Sequence, residues 1–232
     1  MRICRSIIAI LLTIGASSIA AFAADPATRP APSTQPATVA KKEPIPKDWV
    51  KETNATYHFE LSFPKKWEKN VTNQNQVAYL VFGPGAAKAP GLQAGPGPAG
   101  EPCIFVAVAG KCHRTTVEGY ADEVRKAMPT DSPKGKILTD QAATIGDRAA
   151  WLFVTEAPVA SGMIVVPGHP EQNHEVVKKH KTYRLVTVDG DVLYDVSFTG
   201  EASAYTAALA NAKKVIGTFT WTAPPTEADP AK

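Results

Sequence analysis

The chain has 232 residues, with 25 Lys and Arg against 22 Asp and Glu, and 44% of its residues are apolar. So even a charge balance provides no electrostatic funnel and gives no support for a nucleic-acid or anionic-membrane partner. The length left after an N-terminal leader and linker fits one domain with one sizeable core.

Residues 1–23 read as a secretory signal peptide. Arg2 and Arg5 supply a basic start, "SIIAILLTIGASSIA" is the apolar core, and Ala21-Phe22-Ala23 is a small-x-small cleavage site. A transmembrane anchor is the competing reading, but Gly15, Ser17 and Ser18 dilute the second half of the run. Cys4 precedes the apolar core, so there is no lipobox cysteine after it. Cleavage would leave 209 residues with 23 basic and 22 acidic groups, a mature chain that does not span a membrane and is periplasmic or secreted. Cys103 and Cys112 would remain in a compartment that permits disulfides. If "CIFVAVA" is one strand, it carries Cys112 beyond the ~7 Å limit for a bridge, unless the segment bends sharply.

Residues 24–52 form a Pro-rich spacer. The stretch "DPATRPAPSTQPATVAKKEPIPK" holds six prolines and almost nothing able to pack, which predicts a disordered, extended linker. Folding is expected from 53 to 222, followed by a polar tail, 223–232. In "YHFELSF", Tyr57, Phe59, Leu61 and Phe63 share one face at period two, and Pro64 ends the strand. "VAYLVFG", from Val77 to Gly83, is apolar on both faces and predicts a central strand. Ten of the nineteen residues of 84–102 are Gly or Pro, which makes that segment a loop insertion without core-forming content. "CIFVAVA" resumes the sheet.

Thr115-Thr116-Val117-Glu118 reads as a capping box, and Val117, Tyr120, Val124 and Ala127 follow at helical spacing until Pro129. "KILTDQAATIGDRAAWLFVTE" predicts two strands joined at Gly146-Asp147. A second loop insertion is expected over 157–177. "KTYRLVTVDGDVLYDVSF" then predicts a hairpin turning at Asp189-Gly190, with Val192, Tyr194, Val196 and Phe198 on one face. A last helix over 201–216 carries Ala202, Tyr205, Leu209, Ala212 and Ile216 on one stripe, with Gly217 as its C-cap. "TFTW" adds a short strand. About seven hairpin-linked strands and two amphipathic helices imply an α+β fold, an antiparallel sheet flanked by helices.

The stretch "YHFELSFPKKW", the hairpin "TIGDRAAWLFV" and the closing "TYRLVTVDGDVLYDVSFTGEASAY" with "VIGTFTW" together resemble the PsbP-like superfamily. That group includes a photosystem oxygen-evolving subunit, DcrB-type envelope proteins and a Ran-binding nuclear transport factor. The resemblance covers Thr53 to Trp221 and implies an α-β-α sandwich whose role is docking or assembly rather than catalysis. The insertions 84–102 and 157–177 depart from the pattern, and the matching positions are fold determinants, so no functional residue is carried over.

The chemistry-bearing residues cluster weakly. His169, His174 and His180 fall in "GHPEQNHEVVKKH", and imidazoles bind Zn²⁺ or Cu²⁺. The spacing is not that of a helical His-Glu-x-x-His site, and Pro167, Gly168 and Pro170 prevent a helix. A polar loop that happens to hold histidines is the simpler account. Cys103 and Cys112 match no zinc pattern. Gly83-Pro84-Gly85 and Gly95 to Gly100 mimic nucleotide loops, but Lys88, Pro90, Glu101 and Pro102 stand where those loops need other residues. Ser161 lacks a nucleophile elbow. Asp189 and Asp191 have turn roles beside Asp195. The runs Lys65-Lys66 and Lys178 to Lys181 read as solvated strand ends that blunt a sheet edge. The sequence therefore predicts no catalytic residue, no cofactor and no enzyme. It predicts a binding module whose partner is an unidentified envelope protein or complex, with a His-loop metal-binding protein as the alternative.

Overall fold

The computed structural model describes residues 44–74, 77–84, 103–110, 116–131, 134–164, 169, 172 and 174–222. The expected signal peptide, the first part of the spacer, nearly all of the insertion at 84–102, Cys112 and the polar tail lie outside the described residues.

The fold is α+β and mostly antiparallel. Its strands are β1 (Trp49–Asn54), β2 (Phe59–Pro64), β3 (Glu68–Gln74), β4 (Val77–Gly83) and β5 (Ile104–Ala109). Helix α1 (Val117–Asp131) precedes β6 (Lys136–Ile145), β7 (Arg148–Ile164), β8 (His174–Asp189) and β9 (Val192–Glu201). Helix α2 (Tyr205–Ile216) and β10 (Thr220–Trp221) close the chain. Where one sheet is predicted, two form. One has the order β1-β2-β10, the other β3-β4-β5-β9-β8-β7-β6.

The pleat explains how the large sheet is covered. Leu80, Val106, Tyr194 and Leu185 belong to one core cluster with α2 residues Tyr205, Ala208, Ala212 and Val215 and β2 residues Phe59, Leu61 and Phe63. Their sequence neighbours Tyr79, Ala107, Leu193 and Val186 belong to another, with α1 residues Tyr120, Ala121 and Val124. Because successive side chains of a strand point to opposite faces, the two helices pack on opposite faces of the seven-stranded sheet. The small sheet joins α2 on its face. Phe59 stacks on Phe219 at 4.9 Å, and Phe63 meets Phe82 at 5.1 Å. β4 is buried along its whole length between β3 and β5, as its two-sided apolar pattern predicts.

Several boundaries differ from expectation for local reasons. Trp49 to Glu52, assigned to the spacer, form β1 and pair with Pro64 to Leu61 of β2. Tyr57 belongs to a turn instead of the strand: its N–H donates to Asn54 Oδ1 at 3.0 Å, and His58 takes φ +51°. Helix α1 begins one residue later than the capping box implies, because Thr116 Oγ1 accepts from the Gly119 N–H at 3.1 Å. Thr116 is thus the cap and Gly119 stands where a reciprocal glutamate would be. The helix also continues past Pro129 to Asp131, since a proline in the last turn forfeits only one hydrogen bond to the preceding turn. Helix α2 starts at Tyr205 because β9 keeps the chain extended through Glu201.

The largest correction concerns 157–177. Residues up to Ile164 continue β7, and residues from His174 onward belong to β8, paired as far as Ile164 with His174. The alternation in "KTYRLV" simply extends backward past the point where core-facing residues run out, so the apolar face no longer marks it.

Cys103 is buried.

Two hairpin turns use glycine at φ +60°, Gly146 and Gly190. A Cβ on Gly190 would meet nothing within 4 Å, whereas one on Gly146 would stand 3.1 Å from Trp221 Cδ1 and 3.3 Å from the Phe219 carbonyl oxygen. Gly190→Ala is expected to cost about 1–2 kcal/mol for left-handed backbone alone. Gly146→Ala should cost at least ~1 kcal/mol more, because β10 must also shift. Denaturant unfolding of the two variants checks the order.

Candidate functional site

Two features go beyond ordinary packing, a polar group sealed beneath α1 and an arm that projects from the sheet. The polar group begins at the β8–β9 hairpin. Its register pairs Arg184 with Ser197 and Val186 with Asp195, which sets Arg184 and Asp195 diagonally on the face that α1 covers. Arg184 Nε donates to Asp195 Oδ2 at 2.6 Å, and Arg184 Nη2 touches the same oxygen. Arg184 Nη2 also lies 3.5 Å from the Tyr120 hydroxyl of α1. Arg184 is 6% exposed and Asp195 1%, so solvent and substrates do not reach the pair.

Burial pushes the Asp195 carboxyl above its usual range, and the adjoining guanidinium offsets this only in part. Among the described residues, Asp195 Oδ1 and the Tyr79 hydroxyl are buried without hydrogen-bond partners. Burial, helped by the Asp195 charge, raises the Tyr79 phenol as well. A second tie fixes the outer end of α1. Arg125 donates through Nε and Nη2 to both Asp140 oxygens, at 2.7 and 2.6 Å, and Trp151 Nε1 donates to Asp140 Oδ1 at 2.7 Å. These groups hold a helix to a sheet, with their charges neutralised at close range. An open depression of about 370 Å³ lies elsewhere, lined by Asp48, Pro64, Lys65 and Lys66 at the β2–β3 turn. It offers one carboxylate beside two lysines and no general acid–base pair.

The arm arises from unequal strand lengths. β6 stops pairing with β7 at Glu156, and β9 stops pairing with β8 at His180. Beyond those points β7 and β8 continue together to Ile164 and His174, with a bulge between Ala160 and Gly162. Among the described residues, no further strand flanks this two-stranded ribbon. Pro158 and Lys179 face each other across it. The Ala202 N–H donates to the Lys179 carbonyl at 2.8 Å, so the Lys179 backbone points toward the β9 side. Residues of an antiparallel pair that do not bond one another point outward, so the Pro158 backbone faces the opposite, open edge of β7.

The arm carries the histidines singled out from sequence. His174 opens β8 and His180 stands at the arm's base, six residues along one strand and therefore ~20 Å away. One ion cannot bridge them. His169 is exposed before the arm's return strand, and His174 Nδ1 lies 3.0 Å from the Gln172 carbonyl oxygen. Among the described residues, no group of three or more His, Cys, Asp or Glu is placed to hold a metal ion. The run Lys178 to Lys181 lies on an interior strand at its base and on an open edge beyond it. Lys178 bonds Glu201 at 2.8 Å, and Lys179 and Lys181 each lie 3.7 Å from Glu156.

Sequence reading missed Arg184 and treated Asp195 as one of three aspartates near a turn. A signal was present. Once the turn at Asp189-Gly190 is placed, hairpin counting sets the two charges diagonally on one face among Val186 and Leu193, where an unpaired charge would be costly.

Two outcomes follow. Asp195→Ala leaves a buried guanidinium without its partner and should cost about 3–5 kcal/mol in denaturant unfolding, while the Arg184→Met/Asp195→Leu pair should recover most of that loss. At the arm's base, burial lowers the His180 pKa below its usual 6.5, aided by Lys178 and opposed by Glu201. A lowered imidazole favours the neutral form in the fold, so its contribution is present above pH 6.5 and is lost as pH falls through the folded value. Amide protection factors around His180, corrected for the intrinsic exchange rate at each pH, should therefore fall on acidification below pH 6.5, and His180→Gln should remove that step.

No family model and no curated protein matches the chain. Solved structures do. Cyanobacterial PsbP from Synechocystis is similar at 11% identity and a TM-score of 0.48, over 80% of this chain and 96% of that one. The Ran-binding protein Mog1p of Saccharomyces cerevisiae is similar at 8% identity and a TM-score of 0.42, over 75% of this chain and 95% of that one. A protein of Bacteroides thetaiotaomicron is similar at 12% identity and a TM-score of 0.38, over 78% of this chain and 50% of that one, so the chain spans half of its length.

Proposed function

We propose that the chain is an exported, non-catalytic PsbP-like module that binds or helps assemble another component of the cell envelope. On this reading, residues 1–23 direct export, the Pro-rich stretch displays the domain, and the helices on either face of the large sheet make an α-β-α sandwich. The mature protein works in the periplasm or outside the cell.

The observation that carries the reading is the β7–β8 arm. A ribbon that extends past both neighbouring strands adds no core, yet it presents backbone and side chains on both faces and both edges. Protein recognition uses such surfaces. The ionisable groups of the interior serve the opposite purpose, since Arg184 and Asp195 are spent on holding α1.

Shortening the arm tests the proposal. Ala157 and His180 face each other and can flank a two-residue turn, so replacing 158–179 by Asn-Gly should leave the sheet intact. Photo-crosslinking from the arm of the unaltered protein, in cells that make it, should trap one dominant envelope protein. The shortened variant should melt normally and lose capture when the crosslinker is moved to the adjoining β6–β7 surface. Unchanged capture by the shortened variant would sink the assignment to the arm.

A further inference from the structure

The two edges of the arm are not equivalent. The β7 edge carries Pro158, which has no N–H to offer, and a bulge between Ala160 and Gly162. Both devices discourage strand addition. The β8 edge carries neither from His174 to Lys178. Strand backbones alternate in direction, so Val177 aims its N–H and carbonyl to the same side as Lys179, away from β7. The bond from Ala202 to Lys179 marks where β9 stops covering that side. Val177 is 55% exposed, the highest value among the large exposed apolar side chains of the described residues.

The sequence around Val177 reads Glu175-Val176-Val177-Lys178-Lys179, acidic before the apolar pair and basic after it. Lysines at an edge repel most incoming strands, but they accept one that brings a carboxylate to them. A second copy of the same strand does so in one direction only. Antiparallel pairing sets the Glu175 end of each strand against the Lys178-Lys179 end of the other. Parallel pairing sets like charge against like. The open stretch is also equally long in both copies, so neither strand runs into the other's β9.

We infer that the β8 edge of the arm is a homodimer interface, in which His174 to Lys178 of two copies pair antiparallel about a two-fold axis near Val176. The arrangement is isologous and closes on itself, as two-fold contacts do, and it joins the two large sheets through their arms. It stands independently of the envelope reading, because a protein that proved monomeric would still be free to bind another partner through the arm's faces.

The test is the solution mass of the full chain by sedimentation across a wide concentration range. The unaltered chain should reach twice the monomer mass. Val177→Pro removes an outward N–H that the β7–β8 ladder does not use, so it should abolish the dimer and leave the melt near wild type. Glu175→Lys alone, and Lys178→Glu/Lys179→Glu alone, should each be monomeric through self-repulsion. An equimolar mixture of those two variants should restore the doubled mass as a heterodimer. A monomer at every concentration for the unaltered chain overturns the inference, and so does a dimer indifferent to these changes or a mixture that fails to associate.

Discussion

Asp189 and Gly190 turn β8 into β9, and the register set there governs most of what lies around it. Counting outward from the turn places Arg184 diagonal to Asp195, brings Tyr194 and Phe198 to the α2 face, and leaves β8 running past the last residue of β9. A slip of one residue would exchange the two faces. In β9 it would drive Asp195 into the aromatic cluster, leave Arg184 without its partner beneath α1 and set Phe198 there. The buried ion pair enforces the same register from the other side, because its charges are tolerable only when they meet. Its worth lies less in net stability than in the cost of every arrangement that separates it.

Each helix is fastened in a different manner. α2 lies on a broad apolar surface shared with β2, and its Tyr205 packs against Phe198 at 5.6 Å. α1 covers a smaller patch and adds charged ties, Arg125 to Asp140 and Arg184 toward Tyr120. Directional bonds of this kind fix orientation where shape alone leaves freedom to slide. The guanidinium of Arg125 also lies 4.9 Å from the Trp151 ring centre, so that position binds through its face as well as its edge.

Much of the fold was legible from period and punctuation. The alternation of Phe59, Leu61 and Phe63, the two-sided apolar run of β4 and both glycine turns locate strands that form as expected. What escaped was anything decided by partners distant in sequence. β2 reads as a member of the main sheet, yet it pairs with β1 and β10, because Trp49 to Glu52 look like linker until a neighbour satisfies them. The arm was hidden for a related reason. Its residues lie beyond the core, so no buried face imposes the alternation by which strands are recognised, and Pro158, Gly162 and Ser161 read locally as loop. The histidines were visible, and it took the strand's rise to show that two of them stand ~20 Å apart.

The small sheet joins the first two strands of the fold to the last. The Ser62 N–H donates to the Thr218 hydroxyl at 2.8 Å across 156 residues, and Phe59 stacks on Phe219. During synthesis from the N-terminus, Phe59 therefore waits without its stacking partner until Phe219 emerges, about 160 residues later. A chain cut short anywhere before Thr218 would keep its hairpins but not this closure. The last stretch acts as a completion signal, and a factor that shields exposed aromatic strands would recognise the nascent protein longest at Phe59 to Phe63.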